Sequence, residues 1–302
     1  MVIETENLTK NYGDKIGCKD ITVSVDQGEI FGFLGPNGAG KSTFIKMLVG
    51  LLFPTSGKAF VLGKPLGDIE VRKKIGYLPE NFKYQYWMTG KDLLSFHASL
   101  YKLDKKNAEL RMEEVLELVK LKGHEKYRVG TYSKGMQQRI GLACALLSDP
   151  DLLFLDEPTS ALDPVGRKEV REIMTSLKSS GKTVLLNSHL LSEVETVCDS
   201  AAIIKKGSII KYGKMDNILQ SKLILEIHAE ALNSEVLNAL RDLDGGLNYS
   251  NNRIQMEIED KTAIPHIASI IINGGGNLFE LSPKKGSLED VFISLIEGGE
   301  KK

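Results

Sequence analysis

Long apolar runs are missing from this sequence. Among its 302 residues the longest are clusters such as Leu152–Leu155, far short of the ~20 residues that cross a bilayer, so the chain is not expected to enter a membrane by itself. Cysteine is scarce: Cys18, Cys144 and Cys198 are scattered without CxxC pairing. That excludes a disulfide framework and a cysteine zinc site, fits a reducing compartment, and predicts three buried small apolar side chains. An excess of one charge is also missing. With 39 Lys+Arg against 40 Asp+Glu the net charge is −1, which argues against a basic surface for wrapping nucleic acid. The stretch Met1–Gly13 carries Glu4, Glu6 and Lys10 and has neither the basic head nor the apolar run of a secretory signal, so the expected location is the cytoplasm. No repeat or low-complexity segment is visible.

What remains is ordinary globular composition, 42% hydrophobic and 26% charged. Its charge is unevenly divided. Residues 220–302 hold 8 Lys+Arg and 13 Asp+Glu, against 31 and 27 in residues 1–219, which predicts two domains, 1–219 and 220–302. In the first, β-type runs (Ile30–Leu34, Leu152–Leu155, Thr183–Asn187, Ala201–Lys205) alternate with helical stretches (Lys41–Leu52, Ala108–Val119, Gly135–Leu147, Val165–Ser179). Such alternation predicts an α/β fold on a mostly parallel sheet. Leu152–Leu155 lacks polar alternation, as a strand covered on both faces should. The second reads as β-α-β-β-α-β with a closing helix: Leu223–Ile227, Ser234–Leu243, a strand, a turn at Asn251–Asn252, Arg253–Ile258, Ala263–Asn273, Asn277–Leu281 and Leu288–Ile296. That order predicts a small split-βαβ domain. Gly245–Gly246 and Gly274–Gly276 punctuate turns, since neither is followed by a Lys-Ser/Thr helix start.

Directly after Ile30–Leu34 comes Gly35-Pro36-Asn37-Gly38-Ala39-Gly40-Lys41-Ser42-Thr43, then an apolar-periodic helix. This is G-x-x-x-x-G-K-[ST] in its strand–loop–helix setting, a pattern whose fixed positions would arise by chance about once in a hundred such chains. Its glycines let backbone N–H groups converge on phosphate oxygens at the positive end of a helix. Lys41 is expected to neutralise the β- and γ-phosphates and Ser42 to hold Mg²⁺.

A second strand, Leu152–Leu155, ends in Asp156-Glu157, and a third, Thr183–Asn187, in Ser188-His189. Ligands of open α/β sheets bind at that strand end. Asp156 is the expected Mg²⁺ ligand, Glu157 the base that orients the attacking water, and His189 the group that bonds a γ-phosphate oxygen. By itself an acidic pair after a strand is usually a solvated loop, and a lone histidine usually structural. The phosphate loop upstream tips both toward chemistry.

In this order the blocks resemble those of the ATP-binding cassette (ABC) ATPases over residues 2–215. Tyr132-Ser133-Lys134-Gly135-Met136-Gln137-Gln138-Arg139 is similar to the family's signature motif, and Ser160-Ala161-Leu162-Asp163 to its D-loop. The resemblance implies that the helix end at Ser133 and Gly135 faces the nucleotide of a second subunit, with Asp163 in the same interface. A serine helix cap would explain Ser133 equally well without ligand. It also implies that Tyr12 stacks on adenine, so that ATP is the nucleotide. Tyr132, Lys134 and Met136 replace the usual Leu, Gly and Gln, a variant of the ABC-2 exporter group. Glu80, in Ile75-Gly76-Tyr77-Leu78-Pro79-Glu80, takes the place of the Q-loop glutamine; a carboxylate can bind a metal-held water but repels the γ-phosphate more than an amide does.

Asn81–Met88 then packs four aromatics, including the only tryptophan, into eight residues. Two readings stand level: a local core, or part of the groove that receives a permease's coupling helix. Gly286–Phe292 resembles the closing motif of ABC-2 exporter ATPases, whose extra C-terminal domain is read here as regulatory or dimer-contacting. The resemblance therefore implies the ATPase subunit of an exporter, on the cytoplasmic face of the membrane. It would act as a homo- or heterodimer with separate permease subunits, using ATP and Mg²⁺, and without nucleic acid. An importer ATPase and a non-transport cassette protein are the alternatives.

Overall fold

In the computed structural model the continuous apolar runs become the centre of a six-stranded sheet. Its order is Ser208–Lys214, Ser200–Lys205, Ile30–Leu34, Thr183–Asn187, Leu152–Asp156, Ile75–Leu78, parallel throughout except for the antiparallel edge strand Ser208–Lys214. Every residue of Ile30–Leu34, Thr183–Asn187 and Leu152–Asp156 is buried. Strands covered on both faces have no side left for polar alternation. The structure describes residues 1–160, 162–219, 223–244, 246–284 and 286–297; Ala161 of the D-loop-like quartet, Gln220 at the charge boundary and Gly245 of the first glycine turn lie outside them. The chain forms two compact units, Met1–Met215 and Asp216–Lys302.

The first unit also holds an antiparallel sheet built on Ile3–Tyr12, which pairs with Lys15–Ile21, Ser24–Val25 and Ser56–Val61. The sequence reading lists none of these strands. Their ladders are broken by register shifts beside Leu8, Lys10 and Glu6, so no uninterrupted period-two pattern survives. Between the sheets lies a core that includes Phe31, Phe33, Phe44, Met47 and Phe154. Phe33 of the central strand stacks on Phe44 of the following helix, ring centroids 4.5 Å apart, and so seats the loop between them.

That helix runs Lys41–Leu48, not to Leu52 as expected. Gly50, at φ 75°, ends it: its N–H bonds Met47 O while Leu51 N–H reaches Lys46 O. Helices Gly90–Leu100, Lys105–Leu118 and Lys134–Leu146 form the helical part of the unit. The first begins with a Thr89/Asp92 capping box. Tyr132 is buried and donates its hydroxyl to His124 O at 2.8 Å, above Gly90, where a Cβ would lie 2.4 Å from that hydroxyl. The tyrosine in place of the usual leucine is thus an anchor for the segment that leads into Ser133. All three cysteines are buried.

In the second unit the antiparallel sheet has the order Asn248–Ser250, Arg253–Ile258, Leu223–Glu230, Asn277–Lys284. The first strand in sequence lies between the third and fourth, which is the split-βαβ arrangement. Asn251 and Asn252, at φ 52° and 62°, make the tight hairpin turn. Val236 and Leu240 of helix Ser234–Leu243 and Ile267 and Ile271 of helix Ile264–Asn273 close the core over Leu225, Ile227, Ile254 and Met256. Ser287 and Asp290 cap the final helix, Leu288–Glu297, reciprocally.

Phe154→Ala, which empties the fully buried centre of the main sheet, should cost about 3–5 kcal/mol in chemical denaturation of the first unit; a loss below about 1 kcal/mol would show that this strand does not carry the core.

Candidate functional site

The phosphate-loop sequence becomes a tight nest over the end of strand Ile30–Leu34. Gly40 takes φ 109°, and a Cβ there would fall 2.1 Å from Gly17 O, so only glycine fits. Gly40 caps helix Lys41–Leu48 without a side-chain bond, which leaves the first-turn N–H groups pointing into the cleft. Lys41 is buried and donates to Gly35 O at 2.7 Å and Pro36 O at 3.3 Å. Burial lowers its pKa, against the opposing pull of Glu157, Asp156 and Glu80. Ala39 is buried beneath the loop.

The cleft above, of about 550 Å³, is lined by Tyr12, Asn37, Gly38, Gly40, Lys41, Ser42, Thr43, Glu80 and Glu157, together with Lys15, Ile16, Gly17 and Asn187. Tyr12 stands half exposed at its mouth with Lys10 Nζ 5.5 Å from its ring centre. Glu80 is exposed at the end of the edge strand Ile75–Leu78.

The acids arrive from the strand Leu152–Asp156, which is separated from the loop's own strand by Thr183–Asn187. Asp156 is 2% exposed and accepts a hydrogen bond from Asn187 Nδ2. Glu157 follows in the left-handed region at φ 56°, its N–H bonded to Asn187 O at 2.9 Å and its carbonyl to Ser160 Oγ at 3.1 Å. A non-glycine residue held in that conformation is a costly turn that turns the carboxylate sharply off the strand. Burial raises the Glu157 pKa, opposed by His189 and Lys41. His189 Nδ1 lies 2.6 Å from Glu157 Oε2 with the ring half exposed, so in this chain the histidine engages the glutamate directly.

Ser133, Gly135 and Asp163 do not line this cleft. Ser133 caps helix Lys134–Leu146, accepting from Met136 N–H at 3.2 Å. Asp163 caps Pro164–Ser179 through Gly166 N–H at 2.7 Å. A Cβ on Gly135 would sit 3.3 Å from Leu162 Cδ2, so the two motifs touch each other. The aromatic segment divides. Tyr84 is driven inward, its hydroxyl donating to Gln137 O and its ring tilted against Phe82, whereas Tyr86 and Trp87 are 55% and 72% exposed. Tyr84 thus belongs to the local core, while Tyr86 and Trp87 stand on the surface.

Asn187 was not singled out by sequence reasoning, although it binds Asp156 by its side chain and Glu157 by its carbonyl. Its signal was available: an amide ending a strand of otherwise buried residues needs a polar partner.

A lysine-bearing phosphate loop and two carboxylates, carried to one end of a parallel sheet by separate strands, define a P-loop nucleotide-hydrolysing cassette. The comparisons narrow this. The ABC transporter family model matches residues 18–160. An ABC transporter ATP-binding protein of Nostoc sp. is 40% identical over 98% of this chain and 90% of its own, and the bacitracin transport ATP-binding protein BcrA of Bacillus licheniformis is 35% identical over 99% and 98%. A solved ATP-binding subunit of an ABC transporter is 33% identical, with a TM-score of 0.67 over 72% of this chain and 92% of that one. The chain belongs to the ABC transporter ATP-binding proteins. It is an ATPase that uses ATP and Mg²⁺, and cassettes of this family work as dimers with membrane permease subunits. No helix among the described residues is long and apolar enough to cross a membrane.

A carboxyl whose pKa is raised by folding adds stability below the ordinary carboxylate range and loses it as pH rises through the raised value. Glu157→Gln should therefore melt higher than the parent protein at pH 8, with the gap closing toward pH 4. A gap that widens toward acid would show that the carboxylate is stabilised by folding instead.

Proposed function

We propose that this chain is the ATPase subunit of an ABC exporter of the ABC-2 group, docked on the cytoplasmic face of a separate permease. Similarity to the bacitracin transport ATP-binding protein runs through the C-terminal unit as well as the cassette, which supports that group. So do the Tyr132 variant of the signature and the closing Gly286–Phe292 segment. The first unit is the nucleotide-binding engine, and the second is a regulatory or dimer-contacting module. The observation that carries the reading is the cleft lined by buried Lys41, Ser42, Glu157 and Glu80, with Asp156 buried directly before Glu157 and its charge acting on the lysine.

Lys41 and the backbone of Gly38–Thr43 take the β- and γ-phosphates, while Gly35, Pro36, Asn37 and Ala39 shape the loop beneath them. Among the described residues no three His, Cys, Asp or Glu gather into a cation cage. One hydroxyl, Ser42, and one carboxylate, Asp156, are the sparse donor set that Mg²⁺ tolerates, because it keeps waters and phosphate oxygens as its other ligands. Bound there, the ion supplies charge neutralisation at the phosphates. Glu157 takes a proton from the attacking water as that oxygen bonds the γ-phosphorus and the bond from the γ-phosphorus to the β–γ bridging oxygen breaks, releasing ADP. Its raised pKa suits a base, and His189 steadies its carboxylate. Tyr12 stacks on adenine, and Glu80 meets the metal-held water at the cleft edge. The Ser133–Gly135 helix end and Asp163, absent from their own chain's cleft, serve the nucleotide of the second chain, which makes a head-to-tail dimer the active form. Tyr86 and Trp87 receive the permease's coupling helix, since large exposed aromatics suit partner contact.

Glu157→Gln should bind ATP with Mg²⁺ and accumulate as a dimer in size-exclusion chromatography, with phosphate release lowered by about 10²–10⁴-fold. Undiminished turnover would remove Glu157 from the role of base. Trp87→Ala should fold normally and lose co-purification with its membrane permease subunit; retained co-purification would place the contact elsewhere.

A further inference from the structure

Among the described residues, two buried polar atoms on the strands that flank Asp156 have no hydrogen-bond partner, Asn187 Oδ1 and Tyr77 Oη. We propose that Asn187 and Tyr77 form an outer shell around the cation site, Asn187 orienting Asp156 and both completing hydrogen bonds that arrive with the Mg²⁺-nucleotide. The proposal rests on reading Asp156 as the Mg²⁺ carboxylate.

Asp156 ends the strand Leu152–Asp156, whose neighbours are Thr183–Asn187 and Ile75–Leu78. Asn187 is its direct partner across the parallel ladder, 2% exposed, and gives Nδ2 to Asp156 Oδ1. An ionised carboxylate only accepts, so the amide nitrogen must face it and the amide oxygen must point away. That oxygen is buried without a hydrogen-bond partner among the described residues, in a side chain that lines the cleft.

On the opposite flank Tyr77 pairs with Phe154, two residues before Asp156, and so projects from the same sheet face. Its hydroxyl is buried and likewise without partner. Burial, reinforced by the carboxylates of Asp156 and Glu80, pushes the phenol up to about 12, which keeps the hydroxyl a donor at neutral pH. One orphan is thus an acceptor and the other a donor. A buried donor or acceptor left without a partner is costly, which is why such atoms are few in native proteins.

Both orphans have a use once the cation is bound. Mg²⁺ retains several of its waters, whose polarised O–H groups need acceptors; Asn187 Oδ1 is one. Phosphate oxygens that share the cation need donors, and Tyr77 Oη is one. Outer-shell groups of this kind are worth about 10–100-fold in metal affinity.

Mg²⁺ titrated into the full chain with a fluorescent trinitrophenyl-ATP probe tests this. Asn187→Ala and Tyr77→Phe should each raise the half-saturating Mg²⁺ concentration by about 10–100-fold. Probe binding in EDTA should not change. Tyr77→Phe should leave the melting temperature of the nucleotide-free chain unchanged or higher, because its hydroxyl has no protein bond to lose. Half-saturation within about twofold of the parent in both variants overturns the proposal. Should Asn187→Ala fail to fold, the Tyr77→Phe titration decides. Asp156→Asn is the control: if it shifts half-saturation and the other two do not, the outer shell alone fails. If it too shifts nothing, the reading of Asp156 as the Mg²⁺ ligand fails first.

Discussion

Everything in the first unit turns on one electrostatic arrangement, a buried lysine facing carboxylates that come from a different strand of the same parallel sheet. Burial weakens the Lys41 charge, and Glu157, Asp156 and Glu80 oppose that in part. Lys41, Asp156 and Glu157, all three buried, would not be tolerated there without one another or a ligand between them. The all-buried strands Ile30–Leu34, Thr183–Asn187 and Leu152–Asp156 bring the charges together, because parallel strands all deliver their carboxyl ends to one edge. The intervening strand is part of the site, not a spacer. Asn187 ties down both acids, and His189, two residues on, meets Glu157.

The left-handed turn at Glu157 belongs to the same design. An N–H held by Asn187 O and a carbonyl held by Ser160 fix a conformation that an ordinary side chain resists, and the carboxylate is thereby held beside His189. Gln138 Nε2 also approaches that carbonyl, at 3.4 Å, so helix Lys134–Leu146 touches the backbone of the Glu157 turn. Ser133 and Asp163 cap their helices, and neither they nor Gly135 line their own chain's cleft. A chain with a complete phosphate loop and a signature helix directed elsewhere is incomplete alone, and this supports the dimer as the working unit.

Much of this was legible in the sequence for physical reasons. Continuous apolar runs ending in charge or glycine can hardly be anything but central strands of an α/β sheet. A β-α-β-β-α-β order with Asn251-Asn252 between strands specifies its own hairpin. The antiparallel sheet of Ile3–Tyr12 is not legible because its register shifts break the alternation, and helix Lys41–Leu48 stops short of its apolar pattern because Gly50 terminates it. The division of Asn81–Met88 into inward Tyr84 and outward Trp87 depends on Gly141, whose missing Cβ makes room for the Tyr84 hydroxyl far along the chain. The pairing of His189 with Glu157 is equally a product of three dimensions. Linear spacing can place both residues at one sheet edge but cannot say which of them touch.

The central claim is that the backbone of the phosphate loop, charged by Lys41 and the helix end, recognises a triphosphate. Amide hydrogen exchange across Gly35–Thr43 tests it most directly, with ATP and Mg²⁺ compared with adenosine. The account predicts slowed exchange at Gly38–Thr43 with ATP and none with adenosine, since the phosphates and not the base meet those N–H groups. Equal exchange with both, or protection by adenosine alone, would contradict it.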